Sequence, residues 1–148
     1  MFRAETRGRS LIYVSLATFF SLSVWFSTNA ISGALELEKS IDESSIAVLT
    51  IAVQLGFVFG TLVIAITNLS DLFNARTLFF VCATMAAVMN LLVIPIESAP
   101  LLIAARFATG AFLGGVYPPA MKVISGWYKK GRGFALGTMV GALTIGSG

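Results

Sequence analysis

The 148-residue chain has no histidine and one cysteine. A His/Cys metal site is therefore not expected, and neither is a cofactor. An intrachain disulfide is excluded outright. The lone Cys82 sits inside an apolar run and is read as a small core residue. Charge is scarce as well: only 11% of residues are Asp, Glu, Lys or Arg, and none occurs between Glu43 and Asp71. The net charge of +3 is no nucleic-acid signature, because the ten Lys and Arg residues are dispersed among hydrophobic runs instead of forming a basic face.

What the chain does have is hydrophobicity, at 57% of residues and a mean hydropathy of +0.89. That composition belongs to polytopic membrane proteins. About 20 apolar residues cover the roughly 30 Å hydrocarbon core, and the expected fold is all-α with about five transmembrane spans. They are placed at residues 11–33, 45–67, 77–95, 101–126 and 133–148, joined by short connections. The first run follows Arg3, Arg7 and Arg9 as a signal peptide would. Its apolar part exceeds the roughly 7–15 residues of a leader, so it is read as a retained span. With the N-terminus inside, eight basic residues (Arg3, Arg7, Arg9, Arg76, Lys122, Lys129, Lys130, Arg132) face the cytoplasm and only Lys39 faces out. That bias sets the orientation. The last span starts at Gly133 and is short for a crossing, so a fragment is expected.

Polar side chains inside spans have a job to do. At 100° per residue, Thr18, Trp25 and Asn29 fall within about 40° of one another. In the second span Thr50, Gln54 and Thr61 share one face, and Gly56, Gly60 and Thr67 the opposite one. The glycine face packs on a helix, and the polar face looks to water or solute or hydrogen-bonds another helix. Asn90 of the third span is expected to bond across an interface. The fourth span carries Arg106 near its outer end, with Gly110, Leu113 and Tyr117 on the same face and Gly114 thinning the helix. Arg106 either snorkels to the interface or faces an aqueous cavity, where it pairs with an acid or binds an anion. Tyr117-Pro118-Pro119 breaks that helix. Gly137 and Gly141 continue a close-packing stripe from Gly133. There is no nucleophile–base pair, phosphate-cradling loop or pair of acids at membrane depth, so an enzyme is not expected.

Three segments carry a family resemblance. The loop Thr67-Asn68-Leu69-Ser70-Asp71-Leu72-Phe73-Asn74-Ala75-Arg76 resembles the loop motif of the major facilitator superfamily. Asp71 and Arg76 match, Thr67 replaces the first glycine and Leu72 the first basic residue. Asn74 stands at a glycine position, where left-handed geometry is expected of it. Arg106 to Gly114 resembles the fourth-helix motif, and Gly126 to Gly137 resembles the link to the fifth helix. Trp25-Phe26-Ser27 and Gly115-Val116-Tyr117-Pro118-Pro119 bring the chain nearest the bacterial nitrate/nitrite and cyanate-porter type, although the second span lacks that type's arginine.

The resemblance implies most of the N-terminal six-helix half of a twelve-helix carrier, an incomplete domain over residues 1–148, working by alternating access. It implies a bacterial inner membrane and, as partners, the lipid bilayer, a small-molecule solute and the missing C-terminal half. Asn29, Gln54, Arg106 and Tyr117 are the expected solute contacts, with a small anion or organic acid preferred. Asp71, Asn74 and Arg76 are the expected gate, with Asp71's partner in the absent half. The rival is a non-transporting helical scaffold that associates through its glycines.

Overall fold

The computed structural model describes residues 2–30 and 43–128, and beyond them residues 131, 133–135, 137, 138, 140 and 141. Side chains are described from Gly8 on, apart from Thr28, Asn29 and Glu43. The elements are α1 (Phe2–Ala30), α2 (Glu43–Thr67), α3 (Leu69–Leu72), α4 (Ala75–Leu91), α5 (Ala99–Gly114) and α6 (Tyr117–Trp127). Most of the expected fifth span lies outside the described residues. The described part of it, 133–135, 137, 138, 140 and 141, is helical.

The fold is an all-α membrane domain. Hydrocarbon offers the backbone no hydrogen-bond partner, so a spanning segment closes its own bonds as a helix. Among the described residues three stretches are long and apolar enough to cross: Gly8–Ser27, Ser44–Thr67 and Ala99–Trp127. Ala75–Leu91 is a shorter apolar helix. Hydroxyls obey the same rule and turn back onto their own helix. Thr18 Oγ1 donates to the Val14 carbonyl at 2.7 Å, Ser21 to Ala17 at 2.7 Å and Thr109 to Ala105 at 2.8 Å. Large apolar side chains such as Phe20, Ile66 and Phe80 stand exposed on the outside of the bundle. A lipid environment covers such a surface; water would not.

The tightest seam joins α2 to α5, and glycine makes it possible. A Cβ at Gly56 would lie 2.0 Å from the Phe107 carbonyl oxygen, and one at Gly60 1.9 Å from that of Ala111. From the other side, a Cβ at Gly110 would lie 2.0 Å from the Val53 oxygen and one at Gly114 2.6 Å from the Thr61 nitrogen. The two backbones touch, and only hydrogen fits between them. In lipid this close packing replaces the hydrophobic drive that pairs helices in water. Gly137 and Gly141 are different: nothing among the described residues lies within 4 Å of a Cβ built on either.

The apolar stretch Ala99–Trp127 is broken at Gly115–Val116. Pro118 and Pro119 supply no N–H, so the regular ladder fails across the turn before them. There the bonds tighten to i−3, Gly115 N to the Phe112 carbonyl at 2.9 Å and Val116 N to that of Leu113 at 3.0 Å. α6 then starts at Tyr117 with proline in its first turn. Near α6, at the same end of the bundle, α2 stops at Asn68, whose φ of 51° and ψ of 32° are left-handed. This corrects the sequence reading, which gave that geometry to Asn74. Asn74 has φ −62° and ψ 120°, and its Oδ1 accepts from the Arg76 N–H at 3.0 Å as the N-cap of α4.

Candidate functional site

Arg106 is fully buried on α5, where it ties three helices together. Its Nη1 donates to Asn90 Oδ1 of α4 at 2.8 Å and to the Val24 carbonyl of α1 at 3.5 Å. Its Nη2 donates to the Trp25 carbonyl at 2.8 Å. Ser27 completes the knot: its single O–H has two acceptors within reach, Asn90 Oδ1 at 2.9 Å and the Val24 carbonyl at 2.8 Å. Every one of these acceptors is a neutral oxygen. The Nε has no partner among the described residues. Among the described residues the single ion pair lies elsewhere, between Lys122 and Asp71. The Arg106 guanidinium is buried between helices, and among the described residues it meets Asn90 and no acid. The Asn90 bond across an interface is the one expected for that residue.

The surroundings hold the knot in place. The Trp25 indole packs edge-on against Phe57 of α2, with ring centroids 5.1 Å apart. Leu113 and Val116 are fully buried beside Cys82 and Ala86, and Trp25 lies against that cluster. Cys82 is thus a core residue, its sulfur filling the space in which Gly115 has no side chain.

Two of the other expected solute contacts, Gln54 and Tyr117, do not join Arg106. Gln54 is exposed on α2, on the side away from the Gly56 and Gly60 seam. Tyr117 is half-buried among Leu11, Val14 and Phe79 around Ala120 and Ile124. It is eleven residues beyond Arg106, or about 16 Å along the helix. Asn29 falls within α1, but its side chain lies outside the described residues. The sequence reading missed Ser27 as a partner and the two α1 carbonyls. Serine beside tryptophan in a span was a visible signal, but main-chain acceptors leave none.

The second polar centre is the turn around α3. Lys122 of α6 forms an ion pair with Asp71 at 2.7 Å and also donates to the Ser70 carbonyl. Asp71, expected to find its partner in an absent half, is therefore engaged within this chain. Both side chains are exposed, at 45% and 74%. Such a pair contributes roughly 0–1 kcal/mol. Beside it lies a groove of about 460 Å³ between α1, α4 and α6. An adjoining recess of about 430 Å³ reaches from Asn74 and Arg76 to Lys122 and Trp127.

A family model described as Major Facilitator Superfamily matches residues 14–148. No curated protein matches the chain, and no solved structure does. The match is to the superfamily as a whole and does not support the nitrate/nitrite and cyanate-porter type.

Proposed function

This chain belongs to the major facilitator superfamily, and from that premise we propose that it moves a small anionic solute across the membrane by alternating access. The superfamily makes it a transporter of the facilitator type, and in the proposed cycle it is coupled to protons or ions or works by exchange. One observation carries the anion: the buried Arg106 spends its donors on neutral oxygens. A cation inside a span costs about 2.5–3.5 kcal/mol even on the lenient insertion scales. No carboxylate offsets it among the described residues, so the knot keeps a positive potential in a low-dielectric setting. A solute carboxylate or inorganic oxyanion is the natural complement.

The ends of the helices supply the moving part. The Asp71–Lys122 pair fastens the α2–α4 turn to α6, and an exposed pair worth so little breaks and re-forms readily. In the proposed cycle it opens as the carrier changes state, and Asp71 exchanges Lys122 for groups on the C-terminal half. We place the carrier in the bacterial inner membrane with its N-terminus in the cytoplasm, following the basic end of the bundle. A non-transporting scaffold is the second reading, favoured by Gly137 and Gly141, where no described residue lies within 4 Å of an added Cβ. Counterflow in proteoliposomes separates the two. The carrier predicts saturable exchange that small carboxylates and oxyanions compete for and neutral or cationic solutes do not. A scaffold predicts no exchange with any solute.

A further inference from the structure

The groove between α1, α4 and α6 is not accounted for by the transport reading. Its wall is apolar and aromatic, made by Tyr13, Val14, Phe79, Val123 and Trp127. Arg76 lines both this groove and the recess that adjoins it. Arg76 is exposed, and its one described hydrogen bond uses the main-chain N–H to Asn74, which leaves the guanidinium without a described partner. Lys122, across the recess, is neutralised by Asp71. Among the described residues lining the groove, Arg76 is the one cation, and its guanidinium has no described partner. The whole feature lies at the end of the bundle where α1 begins, α4 begins and α6 ends, the end that carries most of the chain's basic residues.

That ordering, a planar cation above and a greasy channel below, is the polarity of a phospholipid standing in its leaflet. Guanidinium is suited to phosphate because its fork donates two parallel hydrogen bonds. Trp127 sits at the rim, where tryptophan anchors at the headgroup level. The volume of about 460 Å³ is within the roughly 300–1,000 Å³ of ligand sites. We propose that this groove binds one anionic phospholipid, its phosphate on Arg76 and one acyl chain along Tyr13, Val14, Phe79 and Trp127. Basic pockets between spans at the cytoplasmic face are suited to this chemistry. A free phosphate would use the arginine and leave the apolar slot empty; a zwitterionic lipid would fill the slot without the net charge. The proposal rests on the membrane-spanning fold and not on Arg106 or on the identity of the solute.

The test uses the purified full protein, stripped of lipid and titrated with phosphatidylglycerol, phosphatidylcholine or inorganic phosphate under native mass spectrometry. One phosphatidylglycerol is expected to bind in preference to phosphatidylcholine, with no binding of phosphate alone at matched concentration. Arg76→Gln, at an exposed position, is expected to weaken phosphatidylglycerol about fivefold and leave phosphatidylcholine unchanged. Ala17→Phe, which narrows the slot, is expected to weaken both lipids. Equal affinity for the two lipids, an unaltered preference in Arg76→Gln, or phosphate binding as tightly as phosphatidylglycerol would each overturn the proposal. So would cross-links from Tyr13→Cys showing the groove filled by another protein segment.

Discussion

Replacing Gly60 with alanine tests the seam on which the bundle is built. The new Cβ would lie 1.9 Å from the Ala111 carbonyl oxygen, 2.7 Å from its carbon and 2.8 Å from its Cα. All three are main-chain atoms, so no rotamer change relieves the clash. Reaching the 3.4 Å at which ordinary contact begins requires α2 and α5 to separate by about 1.5 Å at that crossing. Both helices are stiff, so the separation also loosens the contacts at Gly56, Gly110 and Gly114. Overpacking a core typically costs about 1–3 kcal/mol, and a main-chain clash belongs at the upper end. A loss of about 3 kcal/mol corresponds to a fall in melting temperature of roughly 6–12 °C for a chain of this size. Fluorescence-detected size exclusion after heating in detergent reads that shift. Gly126→Ala is the matched control. It lies within α6, no described residue sits within 4 Å of its added Cβ, and alanine there is expected to stabilise by about 0.4–1 kcal/mol. The reasoning is refuted if Gly60→Ala melts with the parent protein, or if the control falls as far.

Asn90→Asp places a carboxylate where Arg106 Nη1 now donates at 2.8 Å. It is expected to raise the melting temperature by compensating the buried charge and to reduce anion uptake by removing the positive potential. A rise in uptake would contradict the electrostatic account. Asn68→Ala keeps a Cβ at φ 51° and loses the tolerance asparagine has there, at about 1 kcal/mol; Asn68→Gly is expected to be neutral or better. Thermal melts of the two variants should separate in that order. Asp71→Asn removes an exposed ion pair, so stability is expected to change by less than about 1 kcal/mol while the transport rate falls several-fold. Matched melting and uptake measurements would show whether the two effects part.

Much of this arrangement is legible in the sequence because the bilayer simplifies the problem. Long uncharged runs become helices, a proline pair breaks one of them, and glycines four apart mark the seam. The helical-wheel argument divides α2 into a glycine face and a Gln54 face, but it does not tell water from lipid. Gln54 shares no contact with Arg106 as a result. The left-handed geometry expected of Asn74 falls at Asn68 instead, because the motif alignment equated Asn74 with a glycine. The local rules point the other way. Asn68 follows the last residue of an apolar helix, a left-handed capping position, and Asn74 precedes a fresh helix as an N-cap. The Asp71–Lys122 pair spans 51 residues, a separation that local spacing does not encode. Arg106's partners were hidden for a different reason. A buried cation suggests an acid, and here Asn90 and two α1 carbonyls take that place.

The most direct measurement is uptake of radiolabelled small anions by the full carrier with Arg106→Gln, set beside the parent protein at equal membrane insertion. The substitution removes the charge and keeps a polar side chain that hydrogen-bonds within the knot. Uptake of carboxylates or oxyanions is expected to be lost, with the protein still inserted and eluting as a single folded species. Anion uptake at the parent rate by inserted Arg106→Gln would contradict the account.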